Sequence, residues 1–99
     1  MLEKEIEKKL VSEIKKRGGR AYKFVSPGND GVPDRLVILP GGKVIFAELK
    51  TDTGRLSSRQ QVQIDTLKGL GCGVVVVKGE EGLNTFLRHV DFWIKMQGV

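Results

Sequence analysis

Residues 31–50 read GVPDRLVILPGGKVIFAELK, and this stretch decides the fold. Two short apolar runs, rich in β-branched residues, flank a Pro-Gly-Gly turn, so the stretch predicts an antiparallel β-hairpin. In such a hairpin the start of the first strand lies beside the end of the second. Asp34 is therefore expected close to Glu48 and Lys50, and the alternation of side chains places Glu48 and Lys50 on the same face.

Two carboxylates and a lysine in one place predict a ligand site. Adjacent carboxylates repel, so one takes up a proton unless a cation neutralises the pair. Mg²⁺ prefers oxygen ligands and commonly uses one or two carboxylates with water and phosphate oxygens, while Lys50 could orient a water or offset negative charge. The alternative is a solvated Glu–Lys pair on a surface hairpin. The dipeptide Pro33-Asp34 at hairpin spacing favours the functional interpretation.

The combination of Pro33-Asp34 with Glu48-Leu49-Lys50 after one hairpin resembles the signature of the PD-(D/E)XK nuclease superfamily. With Gly54-Arg55-Leu56-Ser57, Gln60 and a late valine-rich strand, the wider pattern resembles the VRR-NUC domain in its stand-alone, phage-like form. The resemblance covers nearly the whole chain. It implies a metal-dependent phosphodiesterase that acts on DNA.

Length and composition are those of a small globular protein, with 99 residues, of which 39% are hydrophobic and 29% charged. A net charge of +5 suits a polyanionic partner, although charge alone does not identify a nucleic-acid binder. No apolar run approaches the roughly 20 residues of a membrane span, and no apolar signal segment accompanies the charged N-terminus. We therefore expect an intracellular protein, with the single Cys72 as a small core residue.

A first amphipathic helix is expected over residues 2–16, where apolar residues recur at four-residue spacing. Glu3 falls inside the apolar arc of this helix, Glu7 falls at its edge and Glu5 points away. A carboxylate aimed at the core needs a partner, which a metal site would supply. The resemblance implies an acid on this helix, and the family arrangement E-x-x-apolar-x-x-x-apolar matches Glu3, with Glu7 as the alternative.

A second helix is expected over residues 59–70, capped by Ser57 or Ser58. Gln60 has two interpretations. The sequence Ser57-x-x-Gln60 is a capping box, which explains the glutamine locally, whereas the LS-x-x-Q pattern of the family implies a glutamine that reaches the active site. Ser58-x-x-Gln61 is a competing capping box, so the sequence leaves the start of the helix open.

The remaining segments complete an α/β order, α-β-β-β-α-β-α. Strands are expected over 21–25, 36–39, 44–47 and 73–78, and a third helical region over 80–96 with a break near Asp91. Four consecutive valines in the last strand favour a central position buried on both faces. This order predicts a mixed central sheet with helices on both faces. It matches the restriction-endonuclease-like core of the superfamily, as a single domain over residues 1–99.

The resulting hypothesis is a Mg²⁺- or Mn²⁺-dependent DNA endonuclease. The resemblance implies that Lys50 positions the attacking water and that hydrolysis leaves a 5′ phosphate. Stand-alone members of the branch resemble dimeric Holliday-junction resolvases, so four-way-junction DNA and a homodimer are expected. The implied metal ligands are Glu3, Asp34, Glu48 and the carbonyl of Leu49, and Gln60 joins the catalytic set. The candidate phosphate contacts are Lys23, Arg35, Lys43, Arg55 and Arg59.

Two other functions fit the same residues. One is a non-catalytic nucleic-acid-binding module on a nuclease fold, and the intact set of Asp34, Glu48 and Lys50 argues against it. The other is a nuclease of this fold that cuts RNA, which remains open because no base-reading motif is visible. The pair Phe92-Trp93 belongs either to the core or to a surface that contacts a partner subunit.

Overall fold

A computed structural model describes residues 1–98 of the chain. Its helices and strands follow the predicted order α-β-β-β-α-β-α, so the expected fold class is confirmed. Within residues 1–98 no helix combines the length and the apolar character that crossing a membrane requires. The elements are α1 (Glu3–Lys16), β1 (Arg20–Lys23), β2 (Arg35–Leu39), β3 (Lys43–Lys50), α2 (Ser58–Gly69), β4 (Gly73–Lys78) and α3 (Gly79–Gln97).

The four strands form one mixed sheet in the order β1-β2-β3-β4. The predicted hairpin is β2 with β3, antiparallel, and its register pairs Arg35 with Ala47 and Leu39 with Lys43. The Pro-Gly-Gly turn works because Gly41 and Gly42 both adopt positive φ, of 89° and 85°, which glycine does without steric cost. The chain then crosses over through α2, so β4 runs parallel to β3.

The predicted central position of the valine strand is wrong. β4 lies at one end of the strand order, and of its four valines only Val77 is fully buried. The central strand beside it is β3, where Ala47, Glu48 and Leu49 are buried in succession. A run of valines is equally compatible with an edge strand that has one face beneath a helix, because β-branched side chains pack well on any half-buried pleated surface.

One face of the sheet carries the hydrophobic core and is called the α1/α3 face here. Helices α1 and α3 pack against it and against each other. Ile6, Leu10 and Ile14 of α1 meet Val37 and Leu49 of the sheet in one cluster with the buried side of α3. The four-residue spacing of these α1 residues is what aligns them into a single buried stripe.

The other face of the sheet, called the α2 face, carries Tyr22, Leu36, Phe46 and Val74 side by side in register. Helix α2 packs on this face, at β4. Ile64 of α2 is fully buried there, apart from the core of the opposite face. The chain therefore has helices on both faces, as expected, but the two faces are covered unequally.

Several predicted boundaries move by a few residues. β1 ends at Lys23, two residues short of its expected end. Helix α3 runs unbroken from Gly79 to Gln97, so the expected break near Asp91 is wrong. The apolar stripe continues past Asp91, and Trp93 and Ile94 pack on the same core as Val90. Helix α2 begins at Ser58, with Ser57 as its cap, which decides between the two candidate capping boxes.

Candidate active site

The hairpin register brings Asp34 to the end of β3, as the spacing predicts. Asp34 stands immediately before β2, and its Oδ2 accepts a hydrogen bond from the backbone N–H of Leu49 at 2.8 Å. Its own carbonyl oxygen accepts from the N–H of Phe24 at 2.9 Å, so the backbone of Asp34 is held on the β1 side as well. The carboxylate is therefore fixed against β3 beside Glu48.

Glu48 is the only buried charged side chain among residues 1–98, with 1% of its surface exposed. Its Oε2 accepts from the side-chain Nε2 of Gln60 at 3.1 Å and lies 3.6 Å from Nζ of Lys50. Its Oε1 is buried and has no hydrogen-bond partner among the described residues. An unpaired buried carboxylate oxygen is costly, so this atom marks a place where a ligand would be stabilising.

Burial, and after it the nearby charge of Asp34, together raise the pKa of Glu48 from 4.5 to about 7. The ammonium of Lys50 opposes this rise, and Glu3 adds to it through its charge. At neutral pH the carboxyl group is thus poised between its two protonation states. Perturbation by burial together with a charged partner is typical of functional sites.

Gln60 fulfils both of the roles that the sequence allowed. Its Oε1 accepts from the N–H of Ser57 at 2.9 Å, and its backbone N–H donates to Oγ of Ser57 at 3.1 Å, which completes the capping box. The remaining amide nitrogen donates to Glu48. The capping contact therefore fixes the rotamer that places the amide nitrogen on the carboxylate.

Gly31 joins the loop before Asp34 to the start of α2. Its φ is +91°, and a Cβ at this position would lie 2.7 Å from the backbone carbonyl carbon of Arg59. Only glycine allows the two backbones to touch in this way. The contact is not evident from the sequence, where the two glycines around Asn29-Asp30 indicate only a tight turn.

The predicted trio of carboxylates is a pair in this structure. Glu3 is exposed at the first position of α1, and within residues 1–98 no group of three or more Asp, Glu, His or Cys residues is positioned to hold a metal ion. The expectation that Glu3 points into the core is wrong, because α1 packs through Ile6 and the turns after it. The alternative, Glu7, forms an ion pair with Arg35 at 3.0 Å.

The predicted phosphate contacts divide into two groups. Arg35 is engaged by Glu7 and by the carbonyl oxygen of Ala21, and Lys43 stands over the ring of Trp93 at the turn end of the hairpin, about 17 Å along β3 from Glu48. Neither faces the carboxylate pair. Of the other three, Arg59 forms an ion pair with Asp30 at 2.6 Å, Lys23 is exposed and in register with Arg35 on the α1/α3 face, and Arg55 is exposed. The register adds the exposed Lys78, which lies beside Lys50 and was not predicted.

The donor set fits a hard divalent cation. Asp34 and Glu48 supply oxygens on one side of the strand ends, and Oε1 of Glu48 needs a partner. A strand residue directs its N–H and its C=O towards the same neighbour, so the carbonyl of Leu49 is oriented to the Asp34 side. Carboxylate and carbonyl oxygens are the ligands that Mg²⁺ and Mn²⁺ take in proteins.

Comparisons with known proteins give a similar sequence and a similar structure. No family model matches the sequence. The chain is 51% identical over 89 residues to the "Putative nuclease p44" of Acyrthosiphon pisum secondary endosymbiont phage 1, covering 90% of this chain and 95% of that protein. A solved structure of a "VRR_NUC domain" is similar with a TM-score of 0.83 and 27% identity, covering 88% of this chain and 95% of the other.

Proposed function

The chain belongs to the VRR-NUC family of nucleases, and on that premise we propose that it is a Mg²⁺- or Mn²⁺-dependent endonuclease that hydrolyses phosphodiester bonds in branched DNA. One observation carries the proposal. Oε1 of Glu48 is buried beside Asp34 without a partner among residues 1–98, in a site whose chemistry suits a divalent cation. The ligands would be Asp34, Glu48 and the carbonyl of Leu49, with Glu3 as a further candidate on the adjacent helix.

The protein residues around the pair have distinct tasks in this proposal. A bound divalent cation would neutralise the two carboxylates, lower the pKa of a bound water and offset the charge of a phosphate. The N–H of Leu49 holds Asp34, and the amide of Gln60 holds Glu48, so neither carboxylate has to reorganise. Lys50 donates to the attacking water and counters developing negative charge. The water oxygen bonds to phosphorus, the bond to the 3′ oxygen breaks, and a 5′ phosphate remains.

A substrate panel tests the proposal directly. Labelled linear duplex, flap and four-way-junction DNA, with an RNA strand of the same sequence, are incubated with Mg²⁺, with Mn²⁺ or with a chelator. We expect cleavage of branched DNA that needs metal and that Glu48→Gln abolishes. Cleavage that survives in the chelator, or in Glu48→Gln, would contradict the active-site assignment. Preferential cutting of the RNA strand would keep the nuclease and change its substrate.

Lys50 is tested separately from the metal ligands. The variant Lys50→Ala should cleave roughly 10²- to 10⁴-fold more slowly, as expected for loss of a group that acts on the reacting water. It should keep the thermal stabilisation that Mg²⁺ gives to the folded protein, because ligands of the native state raise its stability. Loss of that stabilisation in Lys50→Ala would move Lys50 from the reaction into metal binding. Lys68→Ala, at an exposed lysine in the last turn of α2, is the matched control.

We also propose that two copies associate through α3 and the turn end of the hairpin. Phe92 is 66% exposed there, at the rim of an apolar cavity of about 410 Å³ that Ile45, Trp93 and Met96 help to line. A large apolar patch on a small protein favours a second copy as its cover. Two sites related by a two-fold axis would suit paired cuts in a four-way junction. Light scattering should give twice the monomer mass, and Phe92→Asp should halve it.

A further inference from the structure

An apolar floor lies beside the carboxylate pair on the α2 face. Alternation along the strands places Tyr22, Leu36 and Phe46 side by side, one step along the sheet from the row that holds Asp34 and Glu48. Helix α2 packs at β4 and leaves the β1 side of this face open. Tyr22 is 56% exposed, and Val44 is 44% exposed one row further on.

Aromatic rings connect this floor to the site. The ring of Phe24 meets the ring of Phe46 edge to face, with centroids 5.3 Å apart and planes at 67°. The backbone N–H of Phe24 donates to the carbonyl oxygen of Asp34. The ring pair therefore stands directly beside the residue that opens β2, and Tyr22 is the next ring outward along β1. Strand spacings put Tyr22 about 12 Å from Glu48.

Basic side chains border the same floor. Arg20 is exposed at the start of β1 and, by alternation, lies on the same face as Tyr22. Lys50 lies at the other end, on the α2 face. A floor with aromatic rings inside and cations at its edge is suited to a polyanion whose flat, apolar groups are unpaired. A protein partner seated there would cover the approach to Asp34.

We propose that Tyr22, with the ring pair of Phe24 and Phe46, is a stacking platform for unpaired bases of the nucleic-acid strand bound at Asp34 and Glu48. The inference rests on the proposed function and deepens it, because it names the part of the substrate that is selected. Bases inside a duplex hide their faces from the protein, so only unpaired bases can stack on Tyr22. A flap, a splayed end or an opened branch point supplies such bases beside the scissile phosphate.

Equilibrium binding tests the platform without depending on cleavage. All variants are made in a Glu48→Gln background and titrated, with Mg²⁺ present, against labelled oligothymidylate and against a duplex of equal length. Tyr22→Ala should weaken binding of the unpaired strand roughly 5- to 100-fold, the range for loss of one stacked base. Duplex affinity should change less than about twofold. Tyr22→Phe keeps the ring and should bind like its parent.

A matched control and a spectroscopic readout separate stacking from general loss of apolar surface. Leu70→Ala removes a side chain that is 76% exposed at the far end of α2, and should leave both affinities unchanged. In Tyr22→Trp the new indole should be quenched by oligothymidylate and not by duplex. The parent protein, whose only tryptophan is Trp93 on α3, corrects for unspecific quenching.

The outcomes keep the two proposals apart. Equal affinity of Tyr22→Ala and its parent for the unpaired strand overturns the platform, even if the wild type cuts branched DNA. A dimer that falls apart on Tyr22→Ala also overturns it, because the floor is then a contact between subunits. If the Tyr22 variants bind as expected and the wild type cuts no nucleic acid under any metal condition, the platform stands and the proposed endonuclease fails.

Discussion

Two clusters of charged residues in this protein have opposite electrostatics. One, the α1–α3 clasp, consists of Glu13, Arg17 and Asp91. Arg17 donates to both carboxylate oxygens of Asp91, at 2.6 and 3.2 Å, and to Glu13 at 3.0 Å. Hydrogen bonds from Lys16 and Arg17 lower the pKa of Glu13, and Asp91 raises the pKa of Arg17. Every charge in the clasp favours the ionised form of its neighbour.

In the other cluster, Asp34, Glu48 and Lys50, the neighbours of Glu48 have opposing effects on its ionisation. Two carboxylates share one lysine, burial opposes the ionisation of Glu48, and Oε1 of that residue has no partner among the described residues. A bound cation would stabilise this second cluster. Among residues 1–98, the cationic group paired with Glu48 is Nζ of Lys50, at 3.6 Å. The contrast indicates that the first cluster stabilises the fold, whereas the second holds its geometry at a cost to stability.

The largest difference between the clusters is expected in the cleavage rate when either one loses an acid. We expect Asp34→Ala to remain folded and to lose roughly 10³-fold or more of its cleavage rate, because the site loses an oriented carboxylate. Asp91→Ala should keep the wild-type rate per folded molecule. Rates are measured on branched DNA at saturating metal, with the folded fraction taken from circular dichroism. A wild-type cleavage rate in Asp34→Ala would contradict the assignment of the Asp34 cluster to catalysis.

The stability of the two clusters should differ in its dependence on pH. The raised pKa of Glu48 means that the folded protein binds a proton more tightly than the unfolded chain, so its contribution is most favourable below pH 4.5 and is lost as the pH rises through about 7. The loss amounts to at most ~3 kcal/mol. Without metal, Glu48→Gln should therefore be more stable than wild type at pH 8 and lack this decline. The lowered pKa of Glu13 acts only at acidic pH, where its stabilisation is lost as the pH falls.

Chemical denaturation at pH 5 and pH 8, with a chelator present, measures this difference. The exposed Glu81→Gln is the control, since its removal should leave the pH dependence intact. Adding Mg²⁺ at pH 8 should stabilise wild type and have little effect on Glu48→Gln. An equal change in stability between pH 5 and pH 8 in Glu48→Gln and in wild type would mean that Glu48 ionises at its usual pH.

Breaking the clasp should lower stability by a smaller amount. Arg17→Ala removes the pairing with both acids and should cost about 1 kcal/mol, which corresponds to a fall of about 4–8 °C in Tm for a protein of this size. Arg17→Lys keeps the charge and loses the paired hydrogen bonds, so its Tm should lie between those of wild type and Arg17→Ala. Lys15→Ala, two positions before Arg17 on an exposed side of α1, should leave Tm unchanged within error.

The acid on α1 is expected to have the smallest effect. Glu3→Gln should reduce cleavage about tenfold at limiting Mg²⁺, because its charge already acts on Glu48. Glu5→Gln should leave cleavage alone, although it disturbs the hydrogen bond from the N–H of Leu2 to Oε1 of Glu5 that caps the helix. Comparing the metal dependence of the two rates decides the matter. An unaffected Glu3→Gln beside an impaired Glu7→Gln would move the ligand one turn along α1.

The sequence predicts the hairpin well because the information there is local. Turn glycines and alternating apolar residues specify the register within 31–50, and the register alone places Asp34 beside Glu48. The capping box likewise specifies Gln60 from residues that are neighbours in sequence. The position of β4 could not be obtained in this way. Whether a valine strand is central depends on which strand arrives at its other edge, and that is decided by the whole chain.

The pairing of charges is also beyond the sequence. Arginine commonly contacts phosphate, but the packing of α1 on the sheet places Glu7 beside Arg35, and the two form an ion pair. Arg17 and Asp91 are 74 positions apart, so nothing local distinguishes their ion pair from two solvated charges. The same holds for the open part of the α2 face. An amphipathic strand indicates that a face is apolar, and only the placement of α2 decides how much of that face stays uncovered.

The close backbone contact between Gly31 and Arg59 has a consequence for the order in which the molecule folds. It closes the stretch from Gly31 to Gln60 on itself, so Asp34, Glu48, Lys50 and Gln60 are brought together by short loops with little loss of chain entropy. The clasp, by contrast, joins residues that are 74 positions apart, about three quarters of the 99-residue chain. Native-state hydrogen exchange should therefore find the amide of Leu49 protected in partly unfolded forms in which α3 has already detached from α1.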